Sequence, residues 1–136
     1  MKGKRCLDMG CGTGILAICM AKAGAAQVTA IDIDEFSVEN TRENLRLNNI
    51  TNVEVLHGDA TAINGQFDLI VANIHRNIII ADAPTYLQHL KPEGTLLVSG
   101  FFKEDMAQVV GHLEQCGLTF RGGETRNGWA VAFFCP

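Results

Sequence analysis

The chain has 136 residues, 47% hydrophobic and 19% charged, with a formal net charge of −4. That length supports one domain with a real core, and that composition excludes a disordered chain. The acidic balance, without a run of Lys or Arg, argues against a broad nucleic-acid-binding face; no apolar stretch reaches membrane-spanning length and no secretory signal is visible.

A first strand is predicted over Arg5 to Met9. Gly10, Gly12 and Gly14 follow at alternate positions, and a helix runs from about Thr13 to Ala23, ended by Gly24. Glycine admits positive φ and close approach of a ligand to backbone. A tight strand-to-helix turn should also point free N–H groups at whatever lies over the helix N-terminus. A second strand, Gln27 to Asp32, ends in an acid 20 residues beyond Gly12. An acid at that offset can accept hydrogen bonds from ribose hydroxyls. Asp34 is expected to cap a second helix that reaches about Leu47, with Val38, Thr41 and Leu45 on its buried face and Asn48-Asn49 closing it.

The third strand is Asn52 to His57, left through the turn Gly58-Asp59. Phe67 to Asn73 forms the fourth. A helical region from about Arg76 to Leu90 should be split at Pro84, which suits only the first turn of a helix. After the turn Lys91 to Gly94 come a fifth strand, Thr95 to Ser99, and a helix with the apolar stripe Met106, Val109, Val110, Leu113 and Cys116. Leu118 to Thr125 and Trp129 to Cys135 flank Arg126-Asn127-Gly128, the signal of a hairpin. WAVAFFC, apolar on both faces, reads as a strand inserted within a covered sheet. Five β/α units followed by one antiparallel hairpin predict an α/β, doubly wound sheet; the pattern resembles the methyltransferase variant of that sheet, which implies strand order 3-2-1-4-5-7-6.

The cysteines Cys6, Cys11, Cys19, Cys116 and Cys135 form no C-x-x-C pair and read as small buried hydrophobes in a reducing compartment. His57, His75, His89 and His112 show no metal-ligand spacing.

The ligand of such a sheet lies over the carboxyl ends of its first strands, here Asp8 with the glycine loop, Asp32, Asp59 and Asn73. A dinucleotide fingerprint begun at Gly10 would need glycine where Ile15 stands, and no Walker Gly-Lys-Ser/Thr occurs. The form D-x-G-x-G-x-G, Asp8 to Gly14, resembles the S-adenosylmethionine (AdoMet) loop of class I methyltransferases, which places the fold in their Rossmann-like class. Cys11 lies within that loop, with nothing to mark it as a nucleophile. Asp32 is assigned to the ribose and Asp34 to the cap. Asp59 could accept from an adenine amino group or simply make a turn, and Ile33 and Phe36 could touch adenine or belong to the core.

Asn73 ends the buried run LIVA over the expected pocket. A lysine amine attacks a sulfonium methyl only as the neutral base, and its free pKa is about 10.4. A desolvated pocket favours that form. An amide oxygen accepts an N–H and aims the lone pair without fixing the amine as an ammonium, so positioning could account for much of the rate. His75 could relay a proton or be an exposed loop histidine.

Together, LDMGCGTGILAI, AIDID, VANIHRNIII and LKPEGTLLVSGFF resemble the ribosomal-protein lysine methyltransferases that modify large-subunit protein eleven. The resemblance covers nearly the whole chain. VANIHRNI, with LKPEGTLLVSG after it, narrows it beyond class I methyltransferases at large. It implies a bacterial, cytoplasmic enzyme that methylates lysine side chains and the N-terminal amine of a ribosomal protein. It implies that Asp8, Gly10, Gly12, Gly14 and Asp32 bind AdoMet and that Asn73 borders the target amine; Cys11, Ile33, Asp59 and Asn73, by their place at the loop and strand ends, are expected to complete the cofactor set. Family members carry an N-terminal recognition domain that precedes this part, so residues 1–136 are expected to be the catalytic domain alone. An RNA or small-molecule methyltransferase, and an AdoMet-binding module without turnover, stay open as alternatives.

Overall fold

A computed structural model describes all of residues 1–136. Strands β1 (Arg5–Met9), β2 (Gln27–Asp32), β3 (Val53–His57) and β4 (Phe67–Asn73) are parallel. Helices α1 (Ile15–Lys22) and α2 (Glu35–Leu47) join the first three. Helix α3 (Arg76–Gln88) leads to β5 (Leu90–Phe102), parallel to β4, and α4 (Met106–Gln115) leads to β6 (Thr119–Arg126) and β7 (Trp129–Cys135). The order across the sheet is β3-β2-β1-β4-β5-β7-β6, with β7 antiparallel to both neighbours. This is the expected doubly wound sheet with its terminal hairpin. Asn127 (φ 53°) and Gly128 (φ 83°) both turn left-handed, the signature of the two-residue turn that Asn-Gly favours.

Alternation along the strands sorts the core onto two faces. Leu7, Ile70, Leu96, Val98 and Phe134 pack with Ile79 and Tyr86 of α3 and with Leu113 of α4. Cys6, Val28, Ala30 and Val71 pack under Ala17 and Met20 of α1. Asp8 shares the parity of Cys6, which puts its carboxylate beneath α1. No helix is long and apolar enough to cross a membrane.

Several expectations need correction. Pro84 does not split α3, which runs through it from Arg76 to Gln88. Pro84 is exposed, so the carbonyl left without its N–H lies toward water, while Ile79, Ala83 and Tyr86 hold the helix to the sheet on the opposite side. The β/α units number four and not five: the crossover from β3 to β4 is a single 3₁₀ turn, Ala60–Ala62, capped by Asp59. β5 is longer than Thr95 to Ser99, because the backbone on both sides keeps pairing across register shifts. α1 starts at Ile15, after the left-handed Gly14. β7 is buried on one face only. Ala130, Ala132 and Phe134 are buried while Val131 and Phe133 are half-buried, since α3 and α4 pack on the same side of the sheet. Cys19 is exposed and Cys116 and Cys135 are half-buried, so only Cys6 and Cys11 are the buried hydrophobes expected of all five.

Candidate functional site

The glycine loop spends most of its amides on the end of β2. Gly10 and Cys11 both donate to the Ile31 carbonyl, at 2.8 and 3.0 Å, Gly14 donates to Cys11 at 2.8 Å, and Gly12 donates to Oδ2 of Asp32 at 2.9 Å. The free N–H groups expected of the loop therefore lie further on. Thr13, Ile15 and Leu16 have no partner in the chain, and α1 has no side-chain cap. Gly10 (φ 77°) is required twice over, since an L side chain there would be strained and its Cβ would run into Cγ2 of Ile74.

Asp8 is 1% exposed beneath α1. Its Oδ2 accepts the Ala17 N–H at 3.1 Å, and its Oδ1 has no partner. Burial pushes this carboxyl up to about 6, with the charge of Asp32 adding to the rise and the Ala17 N–H opposing it. The Cys11 thiol turns away from the loop surface toward α2. It lies 3.3 Å from Oγ1 of Thr41, whose hydroxyl donates to the Gly12 carbonyl at 2.9 Å. Burial pushes the thiol up to about 11, which leaves it protonated and inert.

Gly10, Asp32, Ile33 and Asp59 meet in one cleft of about 160 Å³ at the carboxyl ends of β1 to β3. Asp8, Cys11, Gly12 and Gly14 lie beside or beneath it and shape the loop. Asp32 is held at both oxygens, Oδ2 by Gly12 and Oδ1 by the Asp34 N–H at 2.9 Å. Asp34 caps α2 by accepting from the Phe36 N–H at 3.0 Å and the Ser37 hydroxyl at 3.2 Å, the division of labour expected for this pair. Asp59 accepts the N–H and hydroxyl of Thr61 on Oδ1, which holds its carboxyl below the usual range. Ile33 (74% exposed) and Phe36 (77% exposed) are not core residues. Ile33 lines the cleft, and His57 Nε2 fixes the Ile33 carbonyl at 2.9 Å.

Sequence reasoning missed part of the cleft. Ile78 and Asp82, one turn apart on α3, line it together with Ile74. Burial, with the nearby charge of Asp59, pushes the Asp82 carboxyl up. The i, i+4 spacing of this pair was visible, but which face of α3 meets the ligand end is set by packing.

Asn73 opens onto an adjoining hollow of about 610 Å³ with His75, Ser99, Gly100 and Trp129. Ile74 lines both this hollow and the cleft. Trp129 stacks on Phe102 with ring centroids 4.7 Å apart, and both rings are about half exposed. β7 runs antiparallel to β5, so its first residue arrives beside the last residue of β5. That adjacency gave Trp129 no local signal. Phe102 also borders a third hollow of about 330 Å³, where Arg76 pairs with Asp105. His75 caps α3, its Nδ1 accepting the Asn77 N–H at 3.2 Å. That bond occupies Nδ1 and leaves Nε2 facing outward.

A family model described as ribosomal protein L11 methyltransferase (PrmA) matches residues 1–134. The chain is 49% identical to the ribosomal protein L11 methyltransferase of Porphyromonas gingivalis over its whole length, which is 48% of that protein. It is 44% identical to the protein of that name from Bacteroides fragilis, covering 98% of this chain and 49% of that one. The chain thus spans about half the length of the curated relatives it matches. Among solved structures, the ribosomal protein L11 methylase of Lactobacillus delbrueckii subsp. bulgaricus superposes with a TM-score of 0.94 at 30% identity, over 98% of this chain and 70% of that one. A methyltransferase from Pyrococcus furiosus shares the fold, with a TM-score of 0.86 at 21% identity, over 98% of this chain and 75% of that one.

This family and its class I fold imply AdoMet as cofactor. The residues present fit it. Unpaired helix-start amides suit a carboxylate, the unpartnered Oδ1 of Asp8 suits a nearby cation, and the Asp32 and Asp59 carboxylates border a partly apolar cleft suited to a nucleoside. A glycine loop whose shape is locked by Asp32, a strand-end Asn73 beside the cleft and a match running from residue 1 to 134 agree, and the chain belongs to the ribosomal protein L11 methyltransferase family.

Proposed function

We propose that residues 1–136 act as a catalytic domain that transfers a methyl group from AdoMet to amines of ribosomal protein L11, lysine side chains and the N-terminal amine among them, in the cytoplasm. The observation that carries this reading is the adjacency of two hollows through Ile74, one with the nucleoside-binding features and one with Asn73. Bound AdoMet supplies an electrophilic methyl on a positively charged sulfur that leaves as a neutral thioether.

The chain supplies positioning. Asp32, already held by two backbone N–H groups, keeps acceptor capacity on both oxygens for ribose hydroxyls. Thr13, Ile15 and Leu16 offer amides to the carboxylate of the cofactor. Oδ1 of Asn73 accepts one N–H of the incoming neutral amine and turns its lone pair toward the cleft. The stacked Phe102 and Trp129 give the aliphatic stem of a lysine an apolar wall and its ammonium a π-face on arrival. The amine gives up its proton to water before it attacks.

Calorimetric titration with AdoMet and with NAD, followed by a methyl-transfer assay on ribosomal protein L11, tests the reading. AdoMet should bind at micromolar or weaker concentration and NAD should not. Tighter binding of NAD would reject the methyltransferase assignment. AdoMet binding without transfer to any amine would leave a binding module.

A further inference from the structure

We propose that Gly100 is a positioning residue for Asn73: the missing side chain of Gly100 makes the space that the Asn73 amide occupies. The proposal rests on the catalytic reading of Asn73 given above. Gly100 is the extra residue of a bulge in β5. Ser99 pairs with Val131 and Phe101 with Ala130, which leaves Gly100 without a partner on β7. Its φ is +88°. On the other side of β5, Asn73 is the last residue of β4 in register, opposite Ser99. The bulge therefore swings the Gly100 backbone toward the end of β4.

A Cβ on Gly100 would lie 2.6 Å from Oδ1 of Asn73 and 3.1 Å from both the N and the O of Ile74. A carbon cannot approach a carbonyl oxygen that closely, so the Asn73 side chain or the backbone beside it would have to move. Ile74 is confined from the opposite direction as well, because its Cγ2 fills the space above Gly10. The residue after Asn73 thus sits between two glycines, one in the cofactor loop and one in the bulge. The chain just after Asn73 is thereby confined on two sides. Gly100 also borders both hollows outside the cleft, where an incoming amine would pass.

The prediction separates steric contact from backbone strain. Gly100→Ala and Gly100→Asn both add the Cβ, but asparagine tolerates positive φ far better than alanine does. Both variants should shift the side-chain amide NMR signals of Asn73, identified by their loss in Asn73→Ala. AdoMet affinity should stay within about twofold in both. Methyl transfer should fall roughly tenfold or more, the scale of a displaced reacting group. In an Asn73→Ala background, Gly100→Ala should cause no further loss of transfer.

Unmoved Asn73 signals in Gly100→Ala would overturn the proposal, and so would their return to wild-type positions in Gly100→Asn. Additive losses in the double variant, or a tenfold loss of AdoMet affinity, would also overturn it by placing the effect elsewhere. If Asn73→Ala keeps full turnover while Gly100→Ala still shifts the Asn73 amide, the catalytic reading of Asn73 fails and the steric relation stands. A variant that does not fold is replaced by the other, since each carries the same Cβ.

Discussion

At the amino ends of the parallel strands, polar groups pair largely with one another, the buried Nε of Arg5 excepted. The Arg5 N–H donates to Asp68 at 2.8 Å, Lys91 reaches the same carboxylate at 3.1 Å, and the Arg5 guanidinium lies 4.8 Å from the centre of the Phe67 ring. His89 meets the Gly65 carbonyl at 2.7 Å. At the carboxyl ends of the same strands the balance reverses. Ile15, Ile33, Phe36, Ile78, Phe102 and Trp129 are exposed, three amides are unpaired, and a buried carboxylate has an oxygen with no partner. The strands are covalently continuous between the two ends, so strand chemistry does not account for the contrast. One end is largely finished by the chain itself. The other is left for a ligand to finish, as expected where a doubly wound sheet binds one.

The comparison breaks most visibly at Asn73. Asn73→Ala should lower methyl transfer to ribosomal protein L11 by roughly a hundredfold while AdoMet affinity stays within about threefold. Asn73→Asp should also impair transfer, because a carboxylate favours the charged amine. A transfer assay beside an AdoMet titration of the same variants decides it. Normal turnover in Asn73→Ala would reduce this residue to a turn former.

Asp8 should sharpen the contrast through pH. Its native carboxyl is raised to about 6 from an ordinary 3.8, so between those values the native state holds a proton that the unfolded state has released. Stability should therefore fall as pH rises through that window and stay lower above it. Asp8→Asn should flatten this dependence, read from urea melts between pH 4 and 8. The same variant should bind AdoMet more weakly, having lost the anion. Melts as pH-dependent as those of the parent would show that Asp8 is not the group responsible.

Asp32→Ala should weaken AdoMet by about 1.5–3 kcal/mol, the worth of hydrogen bonds to a charged group. At the finished end, Asp68→Ala should cost about 1.5 kcal/mol of stability and leave AdoMet affinity unchanged. Asp34→Ala should cost about 1 kcal/mol of stability through the lost cap. An Asp34 variant that binds AdoMet more weakly than the Asp32 variant would reverse their roles.

Much of this was legible because it is local. Asn127-Gly128 specifies its own turn, Asp34 its own cap, and the short apolar runs ending at Asp8-Met9 and at Asn73 mark those strands. What was not legible depends on residues distant in sequence. The loop amides looked free because the sequence does not reveal that the Ile31 carbonyl and Asp32 take them. Asp82 and Trp129 reach the ligand end only through helix packing and strand insertion. Gly100 looks like any turn glycine until the bulge sets it against Asn73. Pro84 misled because a local rule yielded to the packing of Ile79, Ala83 and Tyr86.

The position of β7 also dictates the order in which the molecule can be completed. β6 pairs only with β7, and β7 follows it in the chain. During synthesis β6 must wait beside an unoccupied β5 edge until Trp129 to Cys135 have left the ribosome, and only then can the hairpin insert. Trp129 is the first residue of the strand that performs this closure. A nascent chain interrupted before β7 would have its glycine loop, Asp32 and Asn73 but neither the aromatic wall nor the complete sheet. Such a chain would offer the unpaired strand edge of β5 to other chains, which makes β7 both a folding lock and a guard against aggregation.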